Sequence, residues 1–181
     1  MASKVDSLLS SFEMVIKEPW TGRLSISERV MFLVYDPSEQ RKVDFRMADF
    51  ETATKKAAKK WVLISLKTCF PSWMANHEYR EEYFNNPEAL VDQLEADFKQ
   101  YTISFLNKAI AQSHTDDNTL VAIKDVSALF GFARLSDVLN FVSDEFKGRL
   151  LIFFPGEYDK NHYRLLDARD GWSYLARPIT I

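Results

Sequence analysis

The chain has 181 residues, 46% of them hydrophobic and 14% aromatic, and a formal net charge of −3, a length that builds one substantial core and falls short of two. The acidic balance lacks the electrostatic footprint of a protein that grips a phosphate backbone, so no direct nucleic-acid binding is expected. One cysteine, five glycines and six prolines rule out an internal disulfide and argue against long disordered linkers, and no apolar run nears the roughly 20 residues that span a bilayer, so the expectation is a soluble, cytoplasmic protein with no membrane partner.

Residues 1–18 form an amphipathic N-terminal helix, with Leu8, Leu9, Phe12, Val15 and Ile16 on one stripe and Glu18-Pro19 as the stop. Residues 29–35 are an apolar run of strand length broken by Asp36-Pro37. Met47, Phe50, Ala53, Ala57 and Trp61 mark a helix of about four turns, and residues 62–66 a second strand. Residues 73–84 read as helical. Pro87 opens a further helix whose stripe runs from Leu90 to Ile110. Residues 112–118 are polar throughout and form the clearest loop.

Residues 120–123 are a third strand and 136–146 a helix capped by Ser136 or Asp137. Residues 150–154, Leu-Leu-Ile-Phe-Phe, lack any alternation and need cover on both faces, as a central parallel strand has. A shorter strand at 163–166 and a strand within 172–181 complete the chain. Strands alternating with helices predict a single-domain α/β protein over residues 1–181, a three-layer sandwich with a mainly parallel central sheet flanked by helices. Strand order and self-association are left open.

Ligands gather beyond the carboxyl ends of such strands, which directs attention to Asp36, Asp125 and Pro155-Gly156-Glu157. Carboxylates converging there could hold Mg²⁺ or do acid/base work; the same aspartates also serve as turn residues and caps. Arg134 interrupts an apolar-aromatic run, where it either pairs with Glu157 or Asp125 or lies over Phe130 or Phe132 with its head in water. His77 with Glu78, Glu81 and Glu82 lacks a third ligand at metal-site spacing and reads as a solvated helix face. Lys55, Lys56, Lys59 and Lys60 read as a solvated face or a docking patch. Gly22, Gly131, Gly148, Gly156 and Gly171 stand far apart, so no Walker loop or Gly-x-Gly-x-x-Gly cradle exists and an ATPase of the usual kind is excluded. No cofactor is expected.

Phe32-Leu33-Val34-Tyr35-Asp36-Pro37 with Glu39, the stretch 129–142, Ile152-Phe153-Phe154-Pro155-Gly156-Glu157-Tyr158 and Tyr163-Arg164-Leu165-Leu166 together resemble the BrxB family of bacteriophage-exclusion (BREX) defence systems. Residues 72–118 match that pattern poorly, and 167–172 depart from the family's aromatic-Arg ending. The resemblance implies a non-catalytic adaptor of a phage-restriction assembly. Its partner would be PglZ, the alkaline-phosphatase-like component, and through it the ATPase BrxC and the methyltransferase PglX. Fourteen Phe, seven Tyr and four Trp exceed what loops require, so some rings serve either the core or a partner. Trp73, Tyr79 and Tyr83 are the first candidates for partner contact. The alternative is a divergent hydrolase or metal-dependent enzyme built on the carboxylates of the sheet edge.

Overall fold

The computed structural model describes residues 3–20, 24–143, 145–168 and 172–181, with Trp172 described by its backbone alone. Gly22, Gly171 and the central part of the 167–172 segment lie outside the described residues.

Helix α1 (Lys4–Ile16) starts on a capping box in which Asp6 N–H donates to Ser3 Oγ at 3.1 Å and Ser3 N–H to the Asp6 carboxylate at 2.9 Å, two backbone donors being satisfied reciprocally. Strand β1 (Val30–Tyr35) is buried along its whole length. Its residues alternate between two apolar clusters: Val30, Phe32 and Val34 enter one, Met31, Leu33 and Tyr35 the other, as the period of two in a strand requires. Helices α2 (Gln40–Phe45) and α3 (Met47–Lys56) lead to β2 (Lys60–Ser65). Helices α4 (Cys69–Ala75), α5 (Arg80–Asn85), α6 (Val91–Gln93) and α7 (Lys99–Gln112) precede β3 (Thr119–Lys124). Helix α8 (Leu135–Leu139) then leads to β4 (Arg149–Asp159), β5 (His162–Leu165), β6 (Trp172–Ser173) and β7 (Arg177–Ile179).

The sheet order is β2-β3-β4-β1-β7, with every pair along that path parallel. The expected α/β sandwich is the one observed. From β1 the chain travels to the far edge through α2 and α3, which pack with α1 on one face. It returns through β3 and β4 by way of α4, α7 and α8 on the other face. Reversing direction together with face keeps all crossovers of one hand. The second half of β4 leaves the parallel sheet and pairs antiparallel with β5, and β5 with β6.

Several helices differ from the sequence expectation. The stretch 73–84 is broken: α4 ends at Ala75, and Tyr79 N–H donates to His77 Nδ1 at 3.2 Å before α5 begins. The stripe after Pro87 is carried by a 3-10 turn (Pro87–Leu90), α6, a π turn (Leu94–Phe98) and α7. Helix α8 has five residues where eleven are expected, because Phe141 and Val142 N–H groups close 3-10 bonds to Val138 and Leu139 carbonyls, a tightening that ends a helix.

Candidate functional site

Strands β1 and β4 are neighbours whose chains leave their carboxyl ends toward opposite faces, β1 into α2 and β4 into β5. A crevice must open where two adjacent exits part. It does: past the last rung, Tyr35 against Pro155, lies a cavity of about 350 Å³. Its apolar lining comes from Val5 and Leu8 of α1, Val34 of β1 and Ile181 beyond β7, and Asp36, Glu39, Glu157 and Asp159 stand around it with Lys4.

The Phe-Pro-Gly-Glu-Tyr run builds one wall. Phe154 stacks on Phe32 at 5.2 Å, and the Tyr163 ring meets Phe32 edge-on at 4.5 Å. Pro155 is the last residue paired with β1, and its carbonyl accepts from Leu166 N–H at 2.9 Å. Gly156 lets β5 approach: a Cβ there would lie 2.0 Å from the Arg164 carbonyl oxygen. Glu157 faces Arg164 across the hairpin at 3.5 Å, and the Tyr158 ring packs 4.9 Å from Tyr163. The opposite wall is the turn after β1. Asp36 caps the 3-10 turn Pro37–Glu39, accepting from Ser38 N–H at 2.8 Å and Ser38 Oγ–H at 2.7 Å. These bonds, with a smaller contribution from Lys4, hold its carboxyl below the usual range.

Asp36, Pro155, Gly156 and Glu157 are therefore brought together, whereas Asp125 and Arg134 are not. Asp125 sits beyond β3 in a left-handed turn (φ 61°), accepts from the Ser65 hydroxyl, and lies 3.6 Å from Lys124, whose ammonium is also 3.5 Å from Asp44. The Tyr35 phenol donates to Gln40 at 2.8 Å, and is pushed up by burial first and then by Asp44 and Asp125. Arg134 is exposed at the start of α8 and contacts neither Glu157 nor Asp125; its charge reaches Glu95, which Lys99 chiefly holds low. Of the two readings of Arg134, the one with its head in water is the one observed, as α8 packs Leu135, Val138 and Leu139 onto one face of the sheet.

The aromatic candidates divide. Trp73 and Tyr83 are buried, packed near Phe98 and His77 respectively, so the break between α4 and α5 turns them into the core. Tyr79 alone is exposed, at 54%. Sequence reading overlooked Phe45, which is 87% exposed on α2, with Phe84 at 64% and Phe141 at 63%. It overlooked Arg29 too, whose buried guanidinium donates to the carbonyls of Phe146 and Gly148; a cation directly before a six-residue apolar strand is the available signal.

Lys55 pairs with Glu51 at 2.6 Å, Lys60 pairs with Asp116, and Lys59 lies over the Trp20 ring at 4.5 Å. Burial pushes the Cys69 thiol up to about 11, which keeps it out of thiolate chemistry. Among the described residues no His, Cys, Asp or Glu group has the geometry of a metal site, and no helix is long and apolar enough to cross a membrane.

Fold and site together define a parallel α/β sandwich with an apolar-floored cavity at its switch point. The profile of the family described as "BREX protein BrxB" matches residues 64–177, and the chain belongs to that family. Membership makes it a component of a BREX defence system. The match takes in residues 72–118, which short motifs alone leave out, and begins after the Phe32–Glu39 segment that those motifs include. Searches of curated proteins and of solved structures returned no match.

Proposed function

We propose that the protein is a non-catalytic adaptor of its BREX system, working in the cytoplasm and docking the PglZ component through rings its own core does not use. BrxC and PglX would be reached through that assembly. The observation that carries this reading is the exposure of Phe45, Phe84 and Phe141, each more than three-fifths open to water. Isolated apolar side chains are ordinary on a surface, but Phe is among the residues most often buried, and aromatics are enriched at interface centres. The carboxylates do not favour the hydrolase alternative: Asp36 is engaged as a cap, and Asp125 with Ser65 and Lys124 lies apart from Glu157. The test is native co-purification with PglZ. Phe45→Ala, Phe84→Ala and Phe141→Ala are each expected to retain the wild-type circular dichroism spectrum, and at least one to weaken the complex by about thirtyfold, the effect of an anchor contributing about 2 kcal/mol. Failure of the wild-type chain to retain PglZ sinks the reading.

A further inference from the structure

The cavity between the carboxyl ends of β1 and β4 has a floor and a rim of different chemistry. Val5, Leu8, Val34 and Ile181 offer apolar surface, while Asp36, Glu39, Glu157 and Asp159 place four carboxylates around it against Lys4 alone. Glu39 and Glu157 are each paired with a cation that does not line the cavity, Lys42 at 2.9 Å and Arg164 at 3.5 Å. No ion pair to a described residue engages Asp36 or Asp159, so the lining itself, four carboxylates to one ammonium, is net negative, with Lys42, Arg164 and Lys160 beside it. An anionic ligand is repelled from such a rim, and a wholly apolar one makes no use of its charge. A long basic side chain satisfies both parts, because its methylene stem covers apolar surface while its head stays among the carboxylates at the mouth. The volume, about 350 Å³, is at the small end of the roughly 300–1,000 Å³ range of ligand sites and suits one or two side chains. Val5 also lines a shallow depression with Phe45, so the exposed ring stands beside the cavity.

We propose that this cavity is a docking site for an arginine or lysine carried on an apolar segment of a partner protein. The inference rests on the adaptor reading and gives the chemistry of the segment that the adaptor takes. The probe is a labelled pentapeptide, acetyl-Gly-Leu-Arg-Leu-Gly-amide, titrated into the full chain and followed by amide chemical shifts, with the citrulline and glutamate peptides as neutral and anionic counterparts. Expected are shifts at Val34, Asp36, Gly156 and Glu157 with the arginine peptide only, and binding about fivefold weaker in Glu157→Gln, as the loss of one rim charge partner implies. Equal response to all three peptides, shifts located elsewhere, or no response up to millimolar peptide overturns the proposal. Concentration-dependent shifts of the same amides without peptide would mean that a second copy fills the cavity, which also overturns it. Co-purification separates the two readings. If PglZ is retained equally by wild type and Glu157→Lys, the cavity inference falls and the adaptor stands; if the peptide binds as expected but PglZ is not retained, the adaptor falls and the cavity stands.

Discussion

At the scale of single residues, Gly156 decides the shape of the site. An added Cβ would meet the backbone oxygen of Arg164 at 2.0 Å and the Phe154 ring at 2.9 Å. Neither neighbour can swing aside, since one is main chain and the other lies in the ring stack under the sheet. Gly156→Ala is expected to cost about 3 kcal/mol, the upper part of the ordinary range for overpacking, read as a lower urea midpoint at unchanged slope. Gly131 is the control. It has φ 78° but nothing within 4 Å of its Cβ position, so Gly131→Asn, which tolerates a left-handed backbone, should stay within about 1 kcal/mol of wild type. A Gly156→Ala midpoint as high as that of the control would show that β5 does not lie this close to β4.

At the scale of elements, two carboxylates fasten neighbours together. Asp6 ties the start of α1 to the α2–α3 junction: chiefly Arg46, then Ser3, hold its carboxyl down to about 2. Asp116 ties the start of β2 to that of β3, held to about 2 chiefly by Lys60 and then by Thr119. A carboxyl whose folded pKa is depressed stabilises above its unfolded value, 3.8, and that contribution is lost as pH falls through the folded value. The melting-temperature gap between wild type and Asp6→Asn, or Asp116→Asn, should therefore be constant above about pH 4 and close between there and about pH 2. Both carboxyls face solvent, so 1 M salt, with a screening length of about 3 Å, should shrink the gap at neutral pH. A gap that persists at pH 2 would assign the effect to helix or turn propensity instead.

The strands were legible as apolar runs because burial on both faces leaves them no polar positions, and β1, β3 and β4 were found within one or two residues at their starts. Helix continuity was not legible. The interruption at Asn76–His77 depends on a ring nitrogen accepting from Tyr79 N–H, and no local propensity announces that bond. Its consequence reached the candidate residues, since one continuous helix would have left Trp73 and Tyr83 on a polar face. The carboxyl-edge rule located Asp36, Pro155, Gly156 and Glu157 once a parallel sheet was inferred. It could not separate them from Asp125, because strand order is fixed by packing between distant segments. Lys4, Val5, Leu8 and Ile181 reach the cavity through the docking of α1 and the tail, for which the sequence carries no local signal.

At the scale of the whole molecule, the two apolar clusters are the two sides of one sheet. Leu120, Ala122, Leu151 and Phe153 enter the cluster under α1, while Val121, Ile123, Leu150 and Ile152 enter the opposite one. Neither cluster can lose its packing without uncovering strands that the other also needs. Cooperative, two-state unfolding of a single unit is therefore expected. The tryptophans sample both sides: Trp61 packs on the α1 side and Trp73 is buried on the other. Two variants report separately, one with Trp61 and one with Trp73 as the sole tryptophan and the remainder changed to Phe. In each, the urea midpoint from tryptophan fluorescence should coincide with that from far-ultraviolet circular dichroism, although the two variants differ in stability through their core substitutions. A fluorescence midpoint that departs from the circular dichroism midpoint within either variant would mean that one face melts first and that the chain folds as two units.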